Sequence, residues 1–308
     1  MSNKKWTFDD IPNLKRKVII ITGGNSGLGY ETGKALALKG AEVFLACRST
    51  ERGEAAREKI LQVDGEGRVV VMELDLADLN SVRRFVKNYK TLHSKLDVLI
   101  NNAGISMTSY FRTKDGFEGQ MGINHLGHFA LTALLSELLL KTHGSRVVNV
   151  SSNSHRYGKV DFENLLYQNG RDYHPLKAYG RSKLANLLFT YELQRRFERK
   201  GTDSIAVAAH PGSSQTNIGS HLKKRWWFSM FKPFYRLVTQ SAEKGALCQL
   251  RAATDLLVKG GEYYGPDGFS ERRGYPVRVE SSKDSHNMEH ARRLWEESEK
   301  LTGIKFNI

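Results

Sequence analysis

Short apolar runs alternate with amphipathic stretches along most of the chain. Runs rich in β-branched residues predict six strands, at residues 18–21, 43–47, 69–73, 98–101, 146–150 and 205–210, with a seventh near 262–264. A helical period is clearest at residues 51–61, 80–89, 128–140 and 177–199. Because the strands are separated by helices, we predict an α/β fold: a doubly wound parallel sheet of about seven strands with helices on both faces.

The chain is expected to form a single domain. No linker-like or low-complexity stretch divides its 308 residues. The domain is predicted at residues 17–268, after a polar segment at 1–16 and before a C-terminal extension at 269–308. Within this extension, residues 284–301 have the pattern of an amphipathic helix. We expect it to pack beside the loop at 213–240 or along a sheet edge, and a partner-binding helix is the alternative.

Polar and glycine residues follow several of the predicted strands. The residues at these positions are Gly23, Arg48, Asn102, Ser152 and Pro211. A doubly wound sheet binds its ligands beyond the carboxyl ends of its strands. We therefore expect these residues to surround one ligand site.

The first predicted strand is followed by three glycines, Gly23, Gly27 and Gly29. Glycines allow a tight turn and a close approach of the backbone to a phosphate, with a helix opening at about Gly27. Their spacing differs from the G-x-G-x-x-G dinucleotide fingerprint. The turn by itself is therefore consistent with either pyrophosphate binding or an ordinary connection from strand to helix.

Tyr179 and Lys183 lie four residues apart in a predicted helix. This spacing places the phenol and the ammonium on one helix face. A free tyrosine has a pKa near ~10, so it exchanges protons at neutral pH only if its phenolate is stabilised. A nearby positive charge does this. The pair indicates acid–base chemistry only in the company of other motifs, because the spacing alone is common.

A series of motifs occurs in a fixed order along the chain. It runs Thr22-Gly23-x-x-x-Gly27-x-Gly29, Asp75, Asn101-Asn102-Ala103-Gly104, Asn124, Ser152, Tyr179-x-x-x-Lys183 and Pro211-Gly212. The series resembles the short-chain dehydrogenase/reductase family over about residues 17–268. Residues 45–48, 124–129 and 179–186 resemble its retinol-dehydrogenase-like branch, which includes vertebrate membrane enzymes and soluble bacterial proteins. The resemblance implies a Rossmann-type fold with a substrate lid at about 213–240.

The resemblance also implies four catalytic residues. Tyr179 is expected to be the general acid/base that gives a proton to a carbonyl oxygen or takes one from an alcohol. Lys183 is expected to bond the nicotinamide ribose and to lower the pKa of Tyr179 toward the operating pH. Ser152, rather than Ser151, is expected to bond the substrate oxygen. Asn124 is expected to hold a water that links Lys183 to solvent.

A nicotinamide dinucleotide is the cofactor that the resemblance implies. Its contacts are expected to be Gly23, Asn25, Ser26, Gly27, Leu28, Gly29, Arg48, Asp75, Leu76, Asn102, Ala103, Gly104, Tyr179, Lys183, Pro211, Gly212 and Thr216. Asp75 would meet the adenine amino group, and residues 102–104 would lie against the adenosine ribose. Pro211, Gly212 and Thr216 would frame the nicotinamide carboxamide.

The end of the second strand predicts which nicotinamide cofactor is used. Folds that prefer NAD place an acidic residue there for the ribose 2′-hydroxyl, whereas an arginine accommodates a 2′-phosphate. In this chain Cys47 stands where the acid is expected, and Arg48 follows it. A guanidinium suits a phosphate well. We therefore predict NADP(H), and a solvated surface arginine is the alternative reading of Arg48.

The interval between Ser152 and Tyr179 is longer than in many members of the resembled family. Its extra residues, about 157–175, are expected to fold over the rim of the site. A surface loop with no catalytic part is the equally weighted alternative. The insertion also makes the choice of Ser152 less direct than that of Tyr179.

The formal net charge of +14 raises the question of an anionic partner. Residues 223–236 carry five basic and six aromatic side chains and no acidic one. Such interleaving suits single-stranded nucleic acid or a membrane interface. This stretch falls in the expected lid, so we favour aromatics that line a pocket for a hydrophobic substrate. A peripheral lipid contact through 223–236 stays open, and we expect no nucleic-acid partner.

The remaining composition indicates a reduced protein with no metal site. The two cysteines, Cys47 and Cys248, do not form a disulfide pattern, and His125 and His128 read as helix-packing residues. Residues 1–16 are polar, and no segment approaches ~18 continuous apolar residues. We therefore expect a soluble, cytoplasmic protein. A homodimer paired through the helix at 177–199 stays open.

The motifs favour an NADP(H)-dependent oxidoreductase acting on a hydrophobic alcohol, aldehyde or ketone. The main alternative is a non-catalytic NADP(H)-binding regulatory or scaffold protein, because a fold alone does not establish activity. A C=C reductase related to the protochlorophyllide reductases ranks third. The set of Asn124, Ser152, Tyr179 and Lys183 favours the enzyme, since a pure binding protein has no need of a tuned phenol.

Overall fold

The computed structural model describes residues 5–63, 65–213 and 240–308. Its strands are β1 (Val18–Thr22), β2 (Glu42–Cys47), β3 (Arg68–Glu73), β4 (Val98–Asn101), β5 (Arg146–Val150), β6 (Ile205–Ala209), β7 (Tyr263–Pro266) and β8 (Pro276–Arg278). Its helices are α1 (Gly27–Leu38), α2 (Thr50–Leu61), α3 (Leu79–Leu92), α4 (Gly119–Lys141), α5 (Pro175–Lys200), α6 (Ala242–Thr254) and α7 (Met288–Thr302). Short 3₁₀ turns lie at Phe8–Asp10, Asn153–Tyr157, Gln168–Gly170, Phe269–Glu271 and Lys283–His286.

The strands described form one sheet in the order β3-β2-β1-β4-β5-β6-β7-β8. Neighbouring strands are parallel from β3 to β7, and β8 is antiparallel to β7. The chain order reverses between β1 and β4, so the connections that leave these two strands diverge. This reversal creates a crevice at the carboxyl ends of β1 and β4, which is where such folds bind ligands.

The central strands β1, β4, β5 and β6 are buried at nearly every position because both faces of the sheet are covered. In β1, Val18 and Ile20 join a core with residues of α3, α4 and α5, whereas Ile19 and Ile21 join a second core with residues of α1, α2 and α6. Parallel strands buried in this way show no alternation of apolar and polar residues. The predicted doubly wound α/β fold is therefore confirmed.

Two elements differ from the prediction. The structure has an eighth strand, β8, which is three residues long, begins with Pro276 and lies at the sheet edge, so it gives no periodic signal. Helix α4 begins at Gly119 rather than at His128, and a π-helical turn at Gly122–Leu126 interrupts it. A π turn shifts the apolar positions out of the 3.6-residue period, which hid the first part of the helix.

The C-terminal extension completes the core beside α4 and α5. Ala291 and Leu294 of α7 pack in a cluster with Leu184 and Leu188 of α5. The Trp295 ring contacts Phe129 and Phe189 at centroid distances of 5.3 and 5.7 Å. Helix α7 therefore lies on α4 and α5, and the expected position along a sheet edge is wrong. The other expected position, beside the loop at 213–240, involves residues outside the described part of the chain.

Helix α4 is long and apolar enough to cross a membrane, judged by length and composition alone. It is the one helix of this kind among the described residues. Of its most apolar 18-residue stretch, 78% is buried inside the protein. Its residues Leu126, Phe129, Leu131, Leu135 and Leu139 belong to the core described above. The apolar character of α4 thus follows from its central place in the fold.

Asp97 holds the amino end of the sheet together. Its buried carboxylate accepts hydrogen bonds from the Val18 backbone N–H at 2.9 Å and from Lys17 Nζ at 2.8 Å, and it lies 2.9 Å from Lys95 Nζ. Burial opposes the charge, but these donors outweigh it and hold the pKa of Asp97 below its ordinary value of 3.8. A carboxyl group with a depressed pKa in the folded state stabilises the fold above its unfolded pKa, and this contribution is lost as the pH falls.

We predict that Asp97→Asn lowers the free energy of unfolding by about 1–3 kcal/mol at pH 7, because two ammonium groups lose their acceptor. The difference from wild type should shrink as the pH falls below about 4, where the wild-type carboxyl also takes up a proton. Urea unfolding at pH 7 and pH 3.5 measures both values. Asp172→Asn, at a side chain that is 82% exposed, is the control. An equal loss at both pH values would contradict the prediction.

Candidate active site

The glycine turn after β1 makes an open cradle. Gly23 and Gly27 have φ angles of 68° and 54°, which favour glycine. A Cβ atom at Gly29 would lie 2.3 Å from the Gly23 carbonyl oxygen, so a side chain cannot fit there. Ser26 stands at the N-cap of α1, but its side chain makes no capping hydrogen bond. The first N–H groups of this 12-residue helix therefore remain available for an anion.

Thr22 joins the cradle to the turn after β4. Its hydroxyl oxygen accepts hydrogen bonds from the backbone N–H groups of Asn102 and Ala103, both at 2.9 Å. The Asn102 side chain donates in return to the Thr22 carbonyl oxygen at 2.8 Å. Asn101, in contrast, points into the core and bonds Asn149 at 2.8 Å. The end of β1 and the turn at 102–104 are thereby held against each other.

Between these segments lies a cavity of about 420 Å³. The predicted cofactor contacts that line it are Gly23, Asn25, Ser26, Gly27, Leu28, Gly29, Arg48, Asp75, Leu76, Asn102, Ala103 and Gly104. Its size is in the range of small-molecule and cofactor sites, which measure about 300–1,000 Å³. The uncapped helix, the glycine cradle and the cavity together fit a dinucleotide pyrophosphate and its adenosine.

The cavity also has lining residues that sequence reasoning missed, among them Ser49, Arg52 and Ile105, whereas Ser106 and Thr108 lie in the loop at 106–112 that we expected to line a pocket. Arg52 is the most informative of these because it adds a second guanidinium beside Arg48. Its position one turn into α2, after the N-cap Ser49, is a signal that could have been read from the sequence. Burial raises the pKa of the Cys47 thiol to about 11, so this lining residue carries no negative charge at neutral pH.

Helix α5 presents Tyr179 and Lys183 on the same face. Lys183 Nζ lies 5.7 Å from the centroid of the Tyr179 ring and donates a hydrogen bond to the Val150 carbonyl oxygen at 3.0 Å. Burial lowers the pKa of Lys183 to about 8. The ammonium is therefore charged below this pH and progressively neutral above it.

The two serines after β5 face different partners. Ser151 Oγ donates to the Lys183 carbonyl oxygen at 2.9 Å, which ties the strand to the helix. The Ser152 hydroxyl contacts the phenol of Tyr179 through a side-chain hydrogen bond. The geometry thus brings Ser152, rather than Ser151, to the tyrosine.

The pKa of Tyr179 differs from our expectation. Burial raises it above the ordinary value of 10.0, and the hydrogen bond from Ser152 lowers it only in part. We had expected Lys183 to lower this pKa toward neutrality. Desolvation of the phenolate is the larger influence, so the pKa of Tyr179 moves away from neutrality rather than toward it. A protonated phenol is the form that can donate a proton.

Asn124 lies in the π-helical turn of α4 and links two parts of the site. Its Oδ1 accepts from the Ile105 backbone N–H at 2.8 Å, and its Nδ2 donates to the Ile105 carbonyl oxygen and to Ser182 Oγ, both at 2.9 Å. A Cβ atom at Gly104 would lie 3.1 Å from Asn124 Oδ1 and 3.5 Å from Lys183 Nζ. Gly104 also lines the cavity, so Asn124 and Lys183 adjoin its wall.

The insertion at 157–175 is fixed to the catalytic turn by Arg181. The Arg181 guanidinium donates to the carbonyl oxygens of Lys159, Asn164 and Leu165 at 2.9, 2.6 and 3.1 Å. At the other end of the insertion, the Tyr173 hydroxyl donates to the Thr108 carbonyl oxygen at 2.8 Å. Thr108 lines the cavity, and the insertion therefore borders the site.

Some predicted site residues are not brought to the cavity. Pro211 and Gly212 lie after β6 and are not among its lining residues. The four predicted catalytic residues, Asn124, Ser152, Tyr179 and Lys183, are not among them either. Gly212 has a φ angle of 64° and packs on the backbone of Arg272, where a Cβ atom would approach the carbonyl oxygen to 2.4 Å. Thr216, the stretch at 223–236 and the interior of the expected lid lie outside the described residues. Within the described part of the chain, no group of three or more His, Cys, Asp or Glu side chains could hold a metal ion.

Comparisons with known proteins agree with this geometry. The model of a family described as short chain dehydrogenase matches residues 17–225. Retinol dehydrogenase 11 from Homo sapiens is 41% identical to this chain over 292 residues, which are 94% of this chain and 87% of that protein. Retinol dehydrogenase 12 from Mus musculus is 42% identical over 292 residues, with the same 94% and 87% coverage.

A solved structure supports the fold over the whole chain. An uncharacterised protein from Mycobacterium paratuberculosis has 42% sequence identity and a TM-score of 0.83, and the match covers 99% of this chain and 100% of that one. These matches confirm the resemblance that the ordered motifs indicated, including the likeness to retinol dehydrogenases. They extend it over the C-terminal extension, which the motifs did not reach.

Two glycines bring Ser152 to Tyr179. A Cβ atom at Gly180 would lie 2.7 Å from the Ser154 carbonyl oxygen and 3.0 Å from the Gly158 nitrogen. A Cβ atom at Gly158 would lie 2.3 Å from the Gly180 carbonyl oxygen. The segment after Ser152 therefore rests directly on α5, next to Tyr179, and a methyl group at either glycine would separate them.

We predict that Gly180→Ala raises the pKa of Tyr179 further, because it moves Ser152 away and removes the hydrogen bond that lowers this pKa. Ser152→Ala should raise it in the same direction. The pKa can be followed by NMR of Cζ-labelled tyrosine, with Tyr179→Phe identifying the signal. Gly201→Ala is the control, since its added methyl meets nothing within 4 Å and strains only a positive φ. An unchanged titration in Gly180→Ala, with Ser152→Ala shifted, would contradict the role of the glycine contact.

Proposed function

The chain belongs to the short-chain dehydrogenase family, and from this premise we propose that it is an NADP(H)-dependent oxidoreductase. It would transfer a hydride between nicotinamide and a hydrophobic alcohol, aldehyde or ketone. The observation that carries the proposal is the contact among three groups at the catalytic turn of α5, one of which, Lys183, adjoins the cavity wall at Gly104. These are the Ser152 hydroxyl, the protonated Tyr179 phenol and the Lys183 ammonium.

Each of these groups has a task in carbonyl reduction. The nicotinamide, when bound, supplies the hydride, and the protein supplies orientation and the proton. Tyr179 donates its proton to the substrate oxygen. Its raised pKa keeps it protonated but makes it a weaker acid, so the step requires stabilisation of the phenolate that it leaves. Ser152 bonds the same oxygen through its hydroxyl. Lys183, whose pKa is about 8, supplies a positive charge that stabilises the phenolate left behind.

The choice of NADP(H) rests on the charge around the mouth of the cavity. Arg48 and Arg52 both line it with exposed side chains, and each can donate to a phosphate. Ser49, at the N-cap of α2, lies between them in sequence. The neutral Cys47 thiol leaves out the carboxylate that would repel a 2′-phosphate. These features support NADP(H) over NAD(H).

Two observations support a hydrophobic substrate: the names of the relatives and the aromatic side chains at the rim of the site. Retinol dehydrogenases 11 and 12 are among the relatives that match 94% of this chain, and their name denotes a long apolar alcohol. In this chain Tyr110, Tyr167 and Tyr173 pack in a row of ring contacts at 5.3–5.4 Å beside the cavity residue Thr108. A row of aromatic rings at the rim of a site is suited to contact the apolar part of a ligand.

Assembly and location remain proposals. A homodimer through the outer face of α5 would have to displace α7, because Leu184 and Leu188 already pack on Ala291 and Leu294. A dimer would therefore need another surface. A lipid contact through residues 223–236 and a cytoplasmic location stay predictions from the sequence.

We predict that the wild-type protein oxidises NADPH in the presence of hydrophobic aldehydes or ketones and that Tyr179→Phe abolishes this turnover. A loss of about 10²–10⁴-fold is expected for a general acid. Absorbance at the NADPH band measures the rate, and NADPH titration by fluorescence shows whether the variant still binds. Tight binding without turnover by the wild type over a broad panel would instead favour the non-catalytic binding protein. Activity confined to activated C=C bonds would favour the third alternative.

We predict that Arg48→Ala and Arg52→Ala each weaken NADPH binding about 10–100-fold, which corresponds to one charge-assisted hydrogen bond, and leave NADH binding unchanged. Cys47→Asp combined with Arg48→Ala should reverse the preference toward NADH. Lys59→Ala removes an equal charge from the exposed side of α2, outside the cavity, and is the matched control. Equal losses for NADPH and NADH would remove the assignment of these arginines to the 2′-phosphate.

A further inference from the structure

We propose that His128 is a positioning residue that joins the nucleotide cradle to Asn124 through a buried bridge of hydrogen bonds. The bridge runs from Thr22 at the end of β1, through the His128 ring, to the Asn124 carbonyl oxygen in the π-helical turn. The inference rests on the proposed function, because it assigns His128 to the geometry of that site. Our sequence reading gave His128 only a packing role.

The contacts of His128 are short and enclosed. The residue is 2% exposed. Its Nε2 lies 2.8 Å from Thr22 Oγ1, and its Nδ1 lies 3.0 Å from the Asn124 carbonyl oxygen. Both ring nitrogens therefore have one partner each, and the two partners belong to opposite sides of the site.

The number of protons and lone pairs on the Thr22 hydroxyl determines which group donates in the Thr22–His128 hydrogen bond. The Thr22 hydroxyl already accepts the N–H groups of Asn102 and Ala103, so its two lone pairs are used and its single proton must be donated. His128 Nε2 at 2.8 Å is a closer acceptor than the Ile100 carbonyl oxygen at 3.4 Å. Nε2 is then unprotonated, and the ring carries its proton on Nδ1.

The other end of the ring agrees with this assignment. A carbonyl oxygen accepts and cannot donate, so the contact with Asn124 requires a proton on Nδ1. Burial, together with the nearby Lys183 charge, lowers the pKa of His128 to about 4, although its bond to the Asn124 carbonyl favours the charged form. The ring is therefore neutral at physiological pH, in one tautomer. A charged ring would point a second N–H at a hydroxyl oxygen that has no lone pair left.

The bridge continues into the catalytic helix. Asn124 Nδ2 donates to Ser182 Oγ at 2.9 Å, and this hydroxyl donates to the Tyr179 carbonyl oxygen at 2.8 Å. A continuous series of hydrogen bonds thus connects β1, α4 and α5. Movement of the nucleotide cradle would therefore move the turn of α5 that contains Tyr179. The series of hydrogen bonds fixes the position of the cradle relative to the Tyr179 phenol.

The neighbouring His125 provides a matched control. It is 1% exposed and lies in the π-helical turn, three residues before His128. Its Nε2 bonds Ser298 Oγ of α7 at 2.9 Å, on the side away from the cradle. Substitution of His125 therefore tests what the loss of a buried histidine from this turn costs when the bridge stays intact.

The experiment compares His128→Asn with His128→Leu. Asparagine keeps a donor for the Asn124 carbonyl but leaves a cavity, whereas leucine fills the space better and removes both bonds. We expect His128→Leu to weaken NADPH binding about tenfold, the equivalent of one lost hydrogen bond, and to lower kcat where turnover is measurable. His128→Asn should stay within about threefold of wild type on both measures, although its Tm is lower. His125→Leu should lower Tm and leave NADPH binding unchanged.

A second measurement applies to the wild-type protein alone. Long-range ¹H–¹⁵N NMR of the histidine rings separates protonated from unprotonated nitrogens. We expect His128 to be neutral with its proton on Nδ1 from pH 7 down to pH 5. The opposite tautomer, or a charged ring in this range, would overturn the proposal even if the variants do not fold.

The two proposals fail in distinguishable ways. Absence of turnover by the wild type counts against the oxidoreductase, but the NMR result and the NADPH affinities still test the bridge. If His128→Leu binds NADPH better than His128→Asn, so that binding follows the order of stability, then His128 only fills space and the positioning role is wrong.

Discussion

The contact between the end of β1 and the turn after β4 is the constraint on which the site depends. The strand order reverses there, so the two connections would separate if nothing held them. The Thr22 hydroxyl oxygen accepts hydrogen bonds from the backbone N–H groups of Asn102 and Ala103. The Asn102 side-chain amide donates a hydrogen bond to the Thr22 carbonyl oxygen. The absence of side chains at Gly23 and Gly29 makes the approach possible. The cavity lies beside this contact and is lined by residues of both turns.

Burial sets the protonation of the groups beside that cavity, and it acts on them in opposite directions. It raises the pKa of the Tyr179 phenol and of the Cys47 thiol, and it lowers the pKa of the Lys183 ammonium and the His128 ring. In each case the neutral form is favoured, because a charge loses its hydration inside the protein. Lys183, with a pKa of about 8, still carries its charge at pH 7. The other positive charges at the cavity are the exposed side chains of Arg48 and Arg52 at its mouth.

The sequence predicted most of the fold and of the cradle, because buried parallel strands and glycine turns leave local signals. It could not predict β8, which is too short to be periodic, or the start of α4, whose π-helical turn breaks the period. Arg52 was missed although its spacing from Arg48 is readable. The raised pKa of Tyr179 and the proton on His128 depend on desolvation and on partners from distant strands. Such properties exist only in the folded chain.

The position of α7 has a consequence for how the protein is made. The aromatic side chains of Phe129 and Phe189 are covered by Trp295, which lies far along the sequence from α4. During synthesis, the helices α4 and α5 emerge from the ribosome well before the residues that shield them. A nascent chain would expose an apolar helical face through this interval, and exposed faces of this kind are recognised by chaperones and are prone to aggregation. This exposure ends only when α7 has been synthesised and Trp295 can pack on Phe129 and Phe189.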